Sequence, residues 1–185
     1  MSVRPSFDLK EHEVEFNTAP LWLKILSSLA QILTLSLFSL DIVLKNGPLD
    51  LFLCFLFLMI IIKTNTILHE LIHFKVFNAC TGGSGKIHIS MLGYSYFLAD
   101  SDCPAPIFRI VLMGPLITIA VGGLLTSIVI FISTNLLVKE IFLTSLLINS
   151  IGSLSDLYVF VKLARYDRNW IVSDTMTHIK VKKLR

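Results

Sequence analysis

The chain has 185 residues and a formal net charge of +3, and only 16% of its residues are charged. Soluble domains carry about 25% charged residues, whereas this chain is 54% hydrophobic with a mean hydropathy of +0.76. This balance indicates one lipid-embedded domain, residues 1–185, and excludes a nucleic-acid-binding protein. The three cysteines show no CxxC spacing, so neither a disulfide scaffold nor a thiolate zinc site is indicated.

Four apolar segments can each cross a bilayer, whose hydrocarbon core of about 30 Å requires roughly 20 helical residues. They cover residues 21–44, 51–77, 107–133 and 138–163. Gly47-Pro48 ends the first segment, since this pair breaks a helix. The first and second segments are joined by a short link, as are the third and fourth, so each pair is predicted to form a helical hairpin. The sequence therefore predicts an all-α integral membrane protein with a tail of residues 164–185.

Positive residues are distributed unevenly between the two ends of these helices. The hairpin links contain only Lys45 and Lys139, and Lys63 lies inside the second helix. The other 13 of the 16 positive residues lie near the N-terminus, in the middle loop or in the tail: Arg4, Lys10, Lys24, Lys75, Lys86, Arg109, Lys162, Arg165, Arg168, Lys180, Lys182, Lys183 and Arg185. Because Lys and Arg accumulate in cytoplasmic loops, we expect a multi-pass cell-membrane protein with both termini in the cytoplasm.

The loop between the second and third helices, residues 78–106, is the only long segment without a helical pattern. Its β-branched and aromatic residues recur at partial period two and are interrupted near Gly93, which predicts a cytoplasmic β-hairpin-like loop. Two interpretations of the hairpin remain open. Its edge can bind an extended peptide as an additional strand, or the hairpin can simply cap the helix bundle.

The second apolar segment contains the motif HELIH, which places His69, Glu70 and His73 within five residues. Residues four apart on an α-helix lie on one face, so the two imidazoles can bind one metal ion. Glu70 is one position away and can act as general base toward a water molecule at that ion. The alternative is that these are polar residues at the membrane interface. Three ionisable groups with metal-ligand spacing favour a site, because charge inside a membrane helix is costly.

A catalytic zinc ion needs a third protein ligand and keeps one position open. The fourth segment contains a polar stripe within an apolar run, and on a continuous helix Asn149 and Asp156 lie within about 20° of each other. We therefore predict Asp156 as the third ligand, at the depth of the histidines. Asn149 is predicted to lie deeper and to hold a substrate carbonyl or the developing oxyanion.

Other assignments of Asp156 remain open at this point. The stripe can be a packing seam of small residues in which Asp156 pairs with Lys162 or Arg165. A tail that folds back could also bring Asp174 or Asp167 to the metal instead.

The segments LHELIH, VLMGPLITI and NSIGSLSD resemble, in order and position on the helices, those of the DUF3267 family of zincin-type peptidases. That family is related to the site-2-type intramembrane metalloproteases, peptidase family M50. The resemblance extends over most of the chain from the second helix onward. It implies zinc ligands at His69, His73 and Asp156, and a catalytic acid/base at Glu70.

The same resemblance matches Asn149 to a polar residue of site-2 proteases and Gly114-Pro115 to their Gly-Pro helix feature. Two positions differ from the site-2 pattern. Gly152 stands where a proline is usual, and Leu157 follows the aspartate where a glycine is usual.

These features predict a metalloprotease with one Zn²⁺ per chain that hydrolyses a peptide bond of a membrane or membrane-proximal protein near the cytoplasmic face. The expected partners are membrane lipid and a protein or peptide substrate, without nucleic acid; no oligomeric state is predicted. One alternative is a non-catalytic metal-binding membrane protein, such as a metal carrier with the same ligands. Another is a structural or partner-regulating membrane subunit without metal.

Overall fold

A computed structural model describes residues 13–45, 47–83, 85–89, 95–175 and 178–184. Sequence features at Arg4, Lys10, Gly93 and Arg185 lie outside these residues. Within them the helices are α1 Leu21–Lys45, α2 Pro48–Thr81, α3 Ala105–Ile132, α4 Leu136–Gly152 and α5 Leu154–Leu163. The strands are β1 Glu13–Asn17, β2 Gly85–His88, β3 Tyr96–Ala99, β4 Cys103–Pro104, β5 Trp170–Asp174 and β6 His178–Lys183.

Four segments of the described chain are long and apolar enough to cross a membrane: Leu21–Leu44, Leu49–Thr81, Ala105–Ile132 and Leu136–Leu163. This result confirms the four predicted segments. Large apolar side chains remain exposed along them, such as Leu44 at 75% and Phe131 at 91%. Exposed apolar surface of this extent is typical of a lipid-facing exterior and unusual for a soluble monomer.

Glycine and proline set both ends of α2. Gly47 has a φ of 98°, which an L side chain rarely adopts, and Pro48 begins the helix where its missing N–H costs nothing. At the other end Gly82 has a φ of 64°, and its N–H donates to the Asn78 carbonyl at 2.8 Å. This left-handed cap ends the helix before the hairpin begins.

The fourth predicted segment is not one continuous helix. It is divided at Ser153, which lies between α4 and α5 with φ −82° and ψ 0°. The Ser153 hydroxyl donates to the Asn149 carbonyl at 3.1 Å. Asn149 and Asp156 therefore lie on different helices, which corrects the prediction that the fourth segment is one continuous helix.

The loop between α2 and α3 forms the predicted hairpin. Strands β2 and β3 pair antiparallel, with Gly85 opposite Ala99 and His88 opposite Tyr96. Period-two patterning was therefore sufficient to find these strands.

A four-stranded sheet in the order β1-β6-β5-β4 corrects the prediction of an all-α fold. In β6, Ile179 and Val181 are buried, whereas Lys180 and Lys182 lie opposite Glu15 and Glu13 of β1. Each of these lysine–glutamate pairs has an N–O distance of 3.8 Å. The alternation of apolar and polar residues in HIKVKK is typical of a strand. Its lysines, taken alone, indicate only a basic tail.

The sheet packs against the ends of three helices. Val172 of β5 and Val181 of β6 share a buried cluster with Phe77 of α2, Phe108 of α3 and Leu163 of α5. This shared core fixes α5 relative to α2 and α3. It therefore fixes the position of Asp156, which lies in the first turn of α5.

Helices α2 and α3 approach closely at Gly114. A Cβ atom at this position would lie 3.0 Å from Ile72 Cγ2 and 3.2 Å from Val76 Cγ2, both on α2. Small residues allow membrane helices to pack closely. Gly114 thus keeps α3 next to the helix that carries the HELIH motif.

Gly114→Leu is expected to destabilise the protein by about 1–3 kcal/mol or to prevent folding, because the side chain has no room between α2 and α3. Unfolding of the purified protein in mixed detergent micelles measures the change. Gly123→Leu is the matched control on the same helix, since a Cβ there meets nothing within 4 Å. Equal unfolding free energies for the two variants would contradict this packing argument.

Candidate metal centre

Three side chains from two helices converge on one point. His69 and His73 are four residues apart on α2, and Asp156 lies in the first turn of α5. The Asp156 Oδ2 atom is 2.9 Å from His69 Nε2 and 3.3 Å from His73 Nε2. The two Nε2 atoms are 3.2 Å apart. The structure thus brings together the three residues predicted to bind the metal, and this group could hold a metal ion.

The distances among these three atoms fit a tetrahedral ion. Zinc binds imidazole nitrogen and carboxylate oxygen at about 2.0–2.1 Å, which separates tetrahedral ligands by about 3.3–3.4 Å. The Asp156 Oδ2 atom is also buried and has no hydrogen bond of acceptable geometry, despite its short distances to both imidazoles. Since a buried carboxylate oxygen needs a partner, the donor set fits a bound cation.

A backbone contact fixes the orientation of His73. Its Nδ1 lies 2.9 Å from the Val111 carbonyl oxygen of α3, and this oxygen can only accept a hydrogen bond. Nδ1 therefore carries a proton, so the neutral tautomer of His73 that can bind a metal directs its Nε2 lone pair toward Asp156 and His69. The close approach of α3 at Gly114 places this carbonyl against the ring.

Glu70 is held by the hairpin. Its Oε2 accepts a hydrogen bond of 2.7 Å from the Phe97 backbone N–H of β3. Two turns earlier on α2, the Lys63 ammonium donates to Ser95 Oγ at 3.4 Å. The hairpin therefore lies along α2 beside the motif, and one of its backbone amides orients the predicted general base.

The other acidic candidates for the third ligand are placed differently. Asp167 is exposed and accepts a hydrogen bond from Asn169 N at 2.9 Å. Among the described residues, the group that could hold a metal contains Asp156 and not Asp174. The proposed charge partners of Asp156 also lie elsewhere, since Lys162 lies over the Tyr158 ring and Arg165 donates to the Tyr166 hydroxyl.

Asp174, the last residue of β5, is nevertheless close enough to interact electrostatically with the centre. Burial raises the pKa of Asp174 to about 7, the charge of His73 lowers it, and the charges of Asp156 and Glu70 raise it. Near neutral pH this carboxyl is therefore partly protonated, unlike an ordinary aspartate.

Asn149, predicted to contact a substrate carbonyl, lies on α4, whereas the candidate ligands lie on α2 and α5. Its side chain lines a cavity between α2, α3 and α4. This role of Asn149 stays a prediction. The Phe97 N–H, in contrast, has no signal in the sequence, since every residue except proline carries a backbone amide.

A family model described as "Putative zincin peptidase", DUF3267, matches residues 62–171. The match extends over more than half of the chain and includes His69, Glu70, His73 and Asp156. It confirms the family resemblance seen in the sequence. No curated protein and no solved structure matches the chain.

Asp174→Asn is expected to stabilise the metal-free protein more at pH 8 than at pH 5. The pKa of Asp174 is about 7 in the fold, compared with an ordinary value of 3.8. Below pH 4 Asp174 is protonated in both the folded and the unfolded chain, so it does not lower the stability of the wild type. As the pH rises to about 7, the carboxyl ionises more readily in the unfolded chain, and the wild type loses stability. The amide has no such titration. Thermal unfolding of both chains at the two pH values measures the difference.

Asp167→Asn is the matched control, because Asp167 is exposed and an asparagine there can still accept the bond from Asn169 N. A stabilisation by Asp174→Asn that is equal at pH 5 and pH 8 would contradict the raised pKa.

Proposed function

The chain belongs to the DUF3267 family, and we propose that it is a zinc-dependent membrane metallopeptidase acting on a membrane or membrane-proximal protein. The observation that carries this proposal is the convergence of His69, His73 and Asp156 within hydrogen-bond distance of one another. Glu70 beside them supplies the carboxylate that hydrolysis requires.

His69, His73 and Asp156 would hold one zinc ion per chain. A bound zinc ion with three protein ligands keeps a position open, polarises a carbonyl group and acidifies water. The neutral tautomer of His73, fixed by the Val111 carbonyl, presents a lone pair for this purpose. Shielding of His69 and His73, whose side chains are 12% and 8% exposed, limits competition from solvent.

Glu70 acts as general base and then as general acid. Its carboxylate takes a proton from water as the water oxygen bonds to the scissile carbonyl carbon. It then gives that proton to the departing nitrogen as the C–N bond breaks, which yields a carboxyl and an amine product. The Phe97 N–H holds one carboxylate oxygen, so the other is available for the proton.

Asn149 is proposed to hold a substrate carbonyl through its side-chain amide. Its position in the wall of a cavity within the membrane-spanning helices supports contact with the part of the substrate that lies in lipid. The rival functions, a metal carrier or a structural subunit, have no need for a carboxylate held by a backbone amide beside the ligands.

We propose a cell-membrane location with both termini and the hairpin on the cytoplasmic side. Arg109 at the start of α3 donates to the Ala164 carbonyl after α5 at 3.3 Å, so the middle loop and the tail lie at the same end of the bundle. The excess of Lys and Arg in these two segments supports this orientation.

Purified protein is expected to contain about one zinc ion per chain, and His69→Ala, His73→Ala or Asp156→Ala is expected to remove it. Each change deletes one of three converging donors. Metal analysis of protein purified in detergent measures zinc content. Glu70→Gln is the control, since it keeps the three donors and is expected to retain zinc.

The same Glu70→Gln chain tests catalysis, because its amide cannot accept the proton from water. Comparison of the membrane proteomes of cells that express wild-type or Glu70→Gln protein should reveal fragments present only with the wild type. Zinc retained after the combined His69→Ala and His73→Ala changes would refute the site. Identical proteomes would favour the carrier or the structural subunit.

Phe97→Pro is expected to lower kcat by roughly tenfold or more relative to Phe97→Ala, since a hydrogen bond to a charged group is worth about 1.5–3 kcal/mol. Both variants lose the phenyl ring, but only proline also removes the N–H that donates to Glu70. This N–H points away from β2, so proline breaks no ladder hydrogen bond. Cleavage of a substrate found in the proteome comparison provides the measurement.

Zinc content serves as the control for Phe97→Pro, because a pure positioning defect leaves it equal to that of Phe97→Ala. Equal kcat for the proline and alanine variants would show that the amide does not position Glu70.

A further inference from the structure

Helix α5 carries Asp156 on one face and a basic and an aromatic side chain on the opposite face. At about 100° per residue, Asp156 shares its face with Val159 and Leu163, both of which are buried. Tyr158 and Lys162 lie one turn apart on the other side, and Lys162 Nζ is 5.6 Å from the centroid of the Tyr158 ring. Lys162 is exposed, so this side of the helix is open to a ligand.

A neighbouring row on the exposed side leads from apolar side chains to a basic one. Leu157 and Val161 are 44% and 63% exposed, and Arg165 follows one turn later, just after the helix. Leu157 and Val161 belong to a segment that can cross a membrane and that ends at Leu163. Arg165 therefore lies where an apolar, lipid-facing surface gives way to polar surroundings.

Two guanidinium groups meet at this end of α5. Arg109 Nη1 donates to the Ala164 carbonyl at 3.3 Å, and Arg165 Nη2 donates to the Tyr166 hydroxyl at 2.9 Å. Both acceptors are uncharged. Since a guanidinium has five N–H groups, these bonds leave others for an anionic ligand. Arg109, Lys162 and Arg165 together form the α5 basic cluster.

Two lysines of β6 are placed differently. Lys180 and Lys182 each lie 3.8 Å from a glutamate oxygen of β1, so their charges are largely balanced. In residues 157–170, by contrast, three bases accompany a single acid, Asp167. Excess positive charge is thus available at the end of α5.

Aromatic side chains accompany the α5 basic cluster. Arg165 Cζ lies 5.0 Å from the centroid of the Tyr166 ring. Tyr166 in turn meets Trp170 edge to face, with ring centroids 4.9 Å apart. Tyr and Trp concentrate at membrane–water interfaces, and basic residues beside a membrane-spanning segment attract anionic lipids. The cluster therefore has the composition of a lipid headgroup site.

We propose that the α5 basic cluster binds the phosphate of an anionic phospholipid whose acyl chains lie along Leu157 and Val161. The planar fork of Arg165 matches two phosphate oxygens, and Lys162 adds a compact positive charge. The exposed apolar row beside the cluster fits an acyl chain, which a free phosphate ion does not have. An anionic headgroup is favoured over phosphatidylcholine, because choline would place another positive charge beside the cluster.

Trp170 provides a reporter for the test, because the other tryptophan of the chain is Trp22 and Trp22→Phe removes it. The full Trp22→Phe chain is reconstituted in vesicles of dibrominated phosphatidylcholine, whose bromines quench a neighbouring indole. Unbrominated phosphatidylglycerol or phosphatidylcholine then replaces the brominated lipid in steps. The recovery of fluorescence gives the affinity for the anionic lipid relative to the zwitterionic one. A preference of about tenfold or more is expected for three cations.

Arg165→Gln in this background is expected to lower the preference by about fivefold, the contribution of one cation near an anionic headgroup. Lys180→Gln is the matched control: it removes the same net charge, but from a lysine beside Glu15, and should leave the preference unchanged. Arg165→Lys keeps the charge and should retain most of the preference. Lys162→Gln covers the case in which Arg165→Gln does not fold, since Lys162 is exposed; it should give a similar decrease.

Equal preferences in the Arg165→Gln and Lys180→Gln chains would reveal an effect of overall charge and overturn the proposal. So would equal affinity of the Trp22→Phe chain for the two lipids, or a Trp170 that the brominated lipid does not quench. Inorganic phosphate, added at constant ionic strength, should leave the preference unchanged; its loss would assign the cluster to a soluble anion and overturn the lipid site. Zinc and cleavage do not enter this measurement, so failure of the proposed peptidase function leaves its result standing.

Discussion

The candidate metal centre depends on holding the Asp156 carboxylate against the imidazoles of His69 and His73. Placing a carboxylate in an apolar bundle costs several kcal/mol, so its position must be enforced by the surrounding fold. Ser153 interrupts the last membrane segment and starts a new helix at Leu154. The buried cluster that joins α5 to α2, α3 and the sheet then fixes that helix. The terminal strands thus help to position the candidate metal centre, although among the described residues its donors come only from α2 and α5.

Patterns that belong to a single segment were predictable from the sequence. The four apolar segments, the hairpin strands and the spacing of His69 and His73 follow from length and periodicity alone. Asp156 could be predicted because few acids occur in apolar segments and one lies at the depth of the histidines. Its distance of 2.9 Å from His69 Nε2 is a tertiary property.

The features that escaped prediction depend on contacts between distant segments. The four-stranded sheet pairs β1 with β6, which are separated by almost the whole chain, and the charged faces of these strands conceal their alternation. The hydrogen bond from Phe97 N–H to Glu70 uses a backbone group that no side-chain pattern reveals. The break at Ser153 was missed because serine and glycine are tolerated within membrane helices.

The length of α2 reconciles the proposed hydrolytic centre with helices that can cross a membrane. Its 34 residues span about 51 Å, whereas the hydrocarbon core is about 30 Å thick. Roughly 20 residues counted from Pro48 place the inner boundary of the hydrocarbon near Leu68, immediately before His69. In the proposed orientation the ligands thus lie at the cytoplasmic interface, where water and the charged products can exchange. The cavity lined by Asn65 and Leu68 begins at that boundary and extends to its lipid side.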